Sequence, residues 1–250
     1  MSKIIEKVKK IQPTLEKLRH LLHQNPEHGF TTEDTTKVIV EFLTPLGYNV
    51  ETGVGKAGIV ASLRKGNSDK TIGFRADMDA LPLQEENKNL YKSNKDGWMH
   101  ACGHDGHMAM LLGAAEILAS KDIKFNGTIR LIFQPAEEDL EGARAMIADG
   151  LFERFPMDAI YGMHNMPGFP TGSLIFKVGG MMASVDSWTI KLAGKGGHGS
   201  TPEKCHDPLI AGVAIVQALQ TVVSRSISPN DNVVVNIGAF RSGDAGNIIP

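Results

Sequence analysis

Two cysteines in 250 residues, Cys102 and Cys205, are too few for a disulfide framework. Charge of one sign is also lacking. A formal net charge of −2 gives no basic surface for nucleic acid and no attraction to an anionic membrane. No run reaches the roughly 18 apolar residues expected of a membrane span. The first twenty residues, MSKIIEKVKKIQPTLEKLRH, are amphipathic and charged, without the apolar core of a signal peptide. With no export signal and few thiols, the expected location is the cytoplasm. Internal repeats and low-complexity tracts are absent as well. What remains, 42% hydrophobic and 22% charged residues, describes a globular chain able to bury a core.

Apolar residues at helical spacing predict a helix over 4–23, with Pro13 arguing for an interruption. A second helix is expected over 32–46, closed by Gly47. The period then changes to that of strands in YNVET, GIVASLR and TIGFRAD. Residues 104–120 carry one apolar stripe, Met108, Leu111, Leu112, Ala115 and Leu118. TIRLIFQ reads as a strand buried on both faces. A short helix near 141–148, a buried strand DAIYGM and a strand near SLIFKVG follow. Strands alternating with helices predict an α/β fold, a mixed or mostly parallel sheet with helices on both sides. Beyond Gly179-Gly180 the texture changes, with SWTIKLAGK and NVVVNIGAF as strands around a helix over 208–223. The expected division is a domain over 1–182 and a second, smaller one over 183–250.

The residues suited to chemistry gather at expected strand ends. His100-Ala101-Cys102-Gly103-His104-Asp105-Gly106-His107 places a thiolate and an imidazole two residues apart just before a helix, and Gly103 lets the backbone bend so that both face one ion. In isolation such a segment also describes a surface loop containing histidines. Asp105 is a candidate to orient a ligand. Glu137-Glu138 follow the buried strand TIRLIFQ, so one carboxylate can bind a metal while the other takes a proton from water. His164-Asn165 follow DAIYGM, and Arg75-Ala76-Asp77-Met78-Asp79 ends TIGF with carboxylates able to brace a metal-bound imidazole. Ligand sites of open α/β sheets lie beyond the carboxyl ends of strands. Four strand ends with compatible chemistry favour joint metal binding. Gly194-Lys195-Gly196-Gly197-His198-Gly199-Ser200 lacks the phosphate-loop spacing and suits a histidine presented to a substrate carbonyl, or a plain hairpin turn. Asn247, in a polar turn, is a candidate to bind a carboxylate.

FRADMDALPL, HACGHDGHMAMLLGAA, IFQPAEE, GMHN, GGHGS and GDAGNIIP occur in an order and spacing that span essentially the whole chain. In these motifs the chain resembles the metallo-amidohydrolases of the aminoacylase/carboxypeptidase group. Within that group it is most similar to hippurate hydrolases, N-acetyl amino acid deacetylases and plant auxin-conjugate hydrolases. The resemblance implies a catalytic domain with an inserted lid or dimerisation domain, and two divalent metal ions, zinc or manganese. Cys102, His104, Glu138 and His164 would be the ligands, Glu137 the general base, and Asp77 the group behind the ligands in Asp-x-Asp. It further implies that His198 holds the scissile carbonyl, across a homodimer interface, and that Asn247 contacts the carboxylate of an N-acyl amino acid. A dipeptidase, an aminopeptidase or a non-catalytic metal-binding relative are the alternatives; the retained Glu137 argues against the last. Chains of this group continue beyond the equivalent of Pro250 and supply one more metal-binding histidine. The expectation is that residues 1–250 carry an incomplete small domain and are by themselves inactive or weakly active.

Overall fold

The computed structural model describes residues 2–250. They form two compact units divided between Ser173 and Leu174; sequence texture put the change at 183.

The first unit is built on a sheet of five strands, β1 (Asn49–Val54), β2 (Gly58–Lys65), β3 (Thr71–Asp77), β4 (Gly127–Gln134) and β5 (Ala159–Gly162), in the order β1-β2-β4-β3-β5. β1 with β2 and β2 with β4 run antiparallel, whereas β3 lies parallel to both β4 and β5. The expected mixed sheet is present. Alternation along its central strands sends side chains to two cores. Ile59, Ala61, Leu131 and Phe133 pack with Leu22, Ile39, Leu43, Met108 and Leu112, which come from helices α1 (Ser2–Gln24), α2 (Glu33–Leu43) and α3 (His104–Ala119). Val60 and Ile132 point the other way, to Met146, Leu151 and Phe155 around the short helices α4 (Gly142–Ala148) and α5 (Leu151–Arg154). Each large side chain fully buried in this way contributes about 1.5–3 kcal/mol.

Three local departures from expectation have physical reasons. α1 runs unbroken through Pro13, which is exposed, so water can take the carbonyl that its missing N–H frees. α2, expected from 32, begins at Glu33, where the Glu27 carboxylate accepts from Asp34 N at 3.3 Å and Thr35 N at 2.8 Å and so supplies the free donors of its first turn. β5, expected to be buried, is an edge strand with Ile160 and Tyr161 exposed, and no strand pairs beyond it among the described residues.

The second unit, Leu174–Pro250, contains α6 (Pro208–Thr221) and a two-stranded antiparallel pair, β6 (Gly197–His198) with β7 (Ile248–Ile249). α6 starts where the sequence demands. Asp207 caps it by accepting from Leu209 N at 2.8 Å, and Pro208 takes the first helical position. With its π-helical extension it forms a helix, Pro208–Ser226, long and apolar enough by composition to cross a membrane, where the sequence predicted no such run. The strands expected in SLIFKVG, SWTIKLAGK and NVVVNIGAF do not form. Val178, Trp188 and Val234 are exposed there, and an extended segment with neither a ladder partner nor a buried face has little to stabilise it.

Candidate metal centre and active site

The three parallel strands β3, β4 and β5 end on one side of the sheet, with Asp77 paired to Gln134 and Arg75 to Gly162. Their extensions carry the functional groups: Asp79 two residues past β3, Glu137 and Glu138 just past β4, His164 two residues past β5. Cys102 and His104 come from the loop and first turn that open α3. The turn is possible because Gly103 adopts φ +89°, and a side chain there would also collide with the Asn165 amide.

Among the described residues, three overlapping groups hold ligand atoms within 4.8 Å of one another: Cys102, His104 and His164; His104, Glu137 and Glu138; Asp77, His104 and His107. Cys102 Sγ lies 3.3 Å from His164 Nε2. His104 donates from Nδ1 to the Asp79 carbonyl oxygen at 2.8 Å, which leaves Nε2 as a bare lone pair. That Nε2 lies 3.7 Å from Glu137 Oε2 and 3.8 Å from Glu138 Oε1. His104 Nε2 and Glu138 Oε1 are both buried without a hydrogen-bond partner. Buried polar atoms are rarely left so, and a divalent cation among sulfur, nitrogen and oxygen donors satisfies both. The residues fit a metal.

The electrostatics agree. Burial, and then the adjacent Glu138 carboxylate, push the Cys102 thiol up to about 12. Burial and the charges of Glu137 and Asp79 raise the Glu138 carboxyl against the pull of His104. His104 is raised despite its burial, by the hydrogen bond to Asp79 and the charges of Asp77, Asp79 and Glu138. Negative charge dominates this pocket, and a cation would favour the ionised thiolate and carboxylate.

Behind these donor atoms stands a bracing layer. Asp77, 1% exposed, accepts from His107 Nδ1 at 2.6 Å and from Arg75 Nη1 at 2.7 Å. Burial alone would raise its carboxyl; these partners and His104 bring it down to about 2. Its nearest approach to His104 Nε2 is 3.6 Å, so its direct partner is the third histidine of the motif. Asp79 is the residue whose weight the sequence understated. Its carboxylate accepts from Glu137 N at 3.0 Å and Glu138 N at 3.1 Å, while its carbonyl holds His104. One residue thereby grips both glutamates and a histidine. The turn it grips is strained: Ala136, fully buried, has φ +47°. His107 was visible only as a flanking histidine; it also accepts from Asn165 N at 2.9 Å, tying α3 to the segment after β5. His100, the other flanking histidine, joins none of the metal-binding groups and is buried with both ring nitrogens unpartnered, and its burial pushes it down to about 4.

In the second unit the pairing of β6 with β7 brings His198 opposite Ile248, next to Asn247, whose carbonyl accepts from Gly199 N at 2.9 Å. Ser200 N donates to His198 Nδ1 at 3.1 Å. A backbone N–H can only donate, so Nδ1 is the acceptor and the neutral ring carries its proton on Nε2.

Known proteins share this chain's sequence and fold. Residues 73–245 match the family model described as Peptidase family M20/M25/M40. A hippurate hydrolase from Campylobacter jejuni is 53% identical over 247 residues, 99% of this chain and 64% of its own length. The crystal structure of a candidate aminohydrolase from methicillin-resistant Staphylococcus aureus superimposes with a TM-score of 0.77 at 37% identity, covering 100% of this chain and 66% of that one. The Bacillus subtilis YXEP protein, a dinuclear metal-binding peptidase, matches with a TM-score of 0.60 at 40% identity over 65% of this chain and 45% of its own. The chain thus spans less than two thirds of the length of the curated relatives it matches, 64% for the hippurate hydrolase. Six motifs in order, a metal-suited donor set beyond the strand ends and at the start of α3, and this degree of identity lead to one conclusion: the chain belongs to peptidase family M20/M25/M40.

Proposed function

We propose that this protein hydrolyses the amide bond of N-acyl amino acids, and that Glu137 is its general base. The observation that carries this reading is the position of Glu137. Its side chain is partly exposed, with Oε2 3.7 Å from His104 Nε2, and its backbone is fixed by Asp79. A carboxylate so placed can accept a proton from the attacking water and return it to the leaving amine nitrogen as the carbon–nitrogen bond breaks. Two divalent cations, zinc or manganese, held by Cys102, His104, Glu138 and His164 would polarise the amide carbonyl and acidify water. His198, with its proton on Nε2, suits a donor to the carbonyl oxygen, worth about 3 kcal/mol when such donors are well placed. Asn247 is the matching candidate for the substrate carboxylate. The products are a carboxylic acid and a free amino acid.

Hippurate, the substrate named for the Campylobacter jejuni relative, is the first compound to assay, beside N-acetyl and indoleacetyl amino acids and dipeptides. Release of amino acid from the N-acyl compounds but not the dipeptides supports the reading; the reverse makes the protein a dipeptidase. Glu137→Gln keeps the metal and lowers kcat by about 10²–10⁴. Unchanged kcat removes Glu137 as base. A cytoplasmic location suits Cys102, a free thiol that must stay reduced to bind metal. A homodimer through the smaller unit is supported by exposed apolar residues of α6 such as Ile210 and Val213, and sedimentation measures it directly.

A further inference from the structure

A second charged cluster lies behind the metal ligands. His23, in the last turn of α1, is 4% exposed. Its Nδ1 is 2.8 Å from Asp105 Oδ2 and its Nε2 is 3.2 Å from Glu85 Oε1. Ionised carboxylates only accept hydrogen bonds, so both ring nitrogens donate and the ring is an imidazolium between two buried anions. Arg19, one turn earlier, reaches the same Asp105 oxygen from Nε at 2.9 Å. Tyr91, stacked on His20, covers the imidazolium edge-on with ring centres 5.7 Å apart, and His100 lies 6.4 Å away.

Each carboxylate leads to a metal ligand. Asp105 follows His104 directly in the first turn of α3. Glu85 sits in the long connection over 80–103, which leaves the bracing Asp79 and ends beside Cys102. That connection contains no helix and no strand beyond a single bridge between Leu81 and Met99. A loop of this length needs anchors to hold one shape. Glu85 supplies them: its carboxylate accepts from Ser93 N at 2.6 Å and Asn87 Nδ2 at 3.1 Å as well as from His23.

We propose that His23 is a positioning residue for the metal centre: bridging Asp105 and Glu85, it locks the His104 end of α3 to the loop that delivers Cys102 and so fixes the spacing of these two ligands. The inference rests on reading Cys102 and His104 as ligands. Without the imidazolium, two buried carboxylates face each other with only Arg19 to compensate, and the loop is free to shift relative to the helix.

Cobalt(II) alone, titrated into the purified protein, reads the centre without substrate through the thiolate-to-cobalt absorption of Cys102. In His23→Gln the affinity falls about 10–100-fold, as for other residues that orient metal ligands, and the thiolate band weakens or moves. Leu112→Ala, which empties part of the core beneath the same helix, lowers stability but leaves cobalt affinity and the band unchanged. Wild-type affinity in His23→Gln overturns the proposal. So does equal weakening in both variants, which would reduce His23 to a contributor to stability. Should His23→Gln not fold, Glu85→Gln cuts the link from the loop side while keeping a carbonyl oxygen for Ser93. Weakened cobalt binding there supports the proposal and unchanged binding refutes it. A wild-type protein with no thiolate band at all contradicts the ligand reading itself, an outcome distinct from equal binding by wild type and variant.

Discussion

Asp79→Asn tests the geometry of the centre at its most connected point. The wild-type carboxylate accepts two backbone N–H groups, from Glu137 at 3.0 Å and Glu138 at 3.1 Å, in a side chain 1% exposed. Hydrogen bonds to a charged acceptor contribute about 1.5–3 kcal/mol each. The amide keeps one of them, now neutral and worth roughly 0.5–1.5 kcal/mol, and turns its NH₂ toward the other N–H, leaving a buried donor unpaired. The expected loss of stability is therefore about 2–4 kcal/mol, read as a lower urea midpoint at constant m-value. Shape and volume are conserved, so a cavity cannot account for it. The catalytic consequence is separate. The turn bearing Glu137 already holds Ala136 at φ +47°, and without both clamps it relaxes away from His104. A displacement of about 1 Å costs on the order of 10²-fold in rate, so kcat for the proposed N-acyl amino acid hydrolysis should fall that far while the His104 contact to the Asp79 carbonyl survives. A variant within about 0.5 kcal/mol of wild type, with kcat preserved, would refute the assignment of Asp79 as the clamp of both glutamates.

Three further substitutions address other parts of the argument. Lys65 Nζ donates to the carbonyls of Leu118, Ser120 and Ile123 at the end of α3, so Lys65→Met should cost roughly 2 kcal/mol by urea unfolding with metal affinity unaffected. Gly142→Ala places a Cβ on top of Pro135 O; the Gln134–Glu138 turn must move, and metal content measured after dialysis should drop with activity. His23 is raised above 6.5, chiefly by its hydrogen bond to Asp105 and against the effect of burial. Its contribution is then complete below the unfolded-state value near 6.5 and is lost as pH rises through the higher folded-state value. The stability gap between wild type and His23→Gln should therefore narrow toward alkaline pH in parallel urea titrations; a gap that widens contradicts a buried imidazolium.

The sheet and the helices on its first face were legible because each element carries its own signal. β2, β3 and β4 are short β-branched runs between turn residues, and the α3 stripe sits at helical spacing. Where the reading failed, the deciding contact lay outside the element. Pro13 breaks a helix only if its neighbours cannot solvate the freed carbonyl, which depends on exposure. β5 has the composition of a buried strand but lies at an edge. The runs around Val178, Trp188 and Val234 have strand composition and no partner to pair with. β propensity describes how well a residue fits a pleated, half-buried surface, so it cannot say whether that surface exists.

The same distinction separates the parts of the site that were readable from those that were not. Cys102, His104, Glu137, Glu138 and His164 are identifiable because few residue types can bind a metal or take a proton from water; Glu137, Glu138 and His164 follow strand ends, whereas Cys102 and His104 open a helix after a long loop rather than the strand end expected. Bracing residues have no such restriction of type. Asp79 acts through two backbone N–H groups that any residues but proline at 137 and 138 would supply, and His23 through carboxylates 62 and 82 positions away in sequence. Their meaning comes entirely from the pairing of distant segments. A carboxylate aimed at the backbone of a strained turn, or an imidazole held between two buried anions, is recognisable only by geometry, yet both fix where the reactive atoms stand. Identity of the candidate reacting groups is thus local information and their spacing is not, which is why substitutions at Asp79 and His23, rather than at the proposed ligands themselves, measure what the fold contributes.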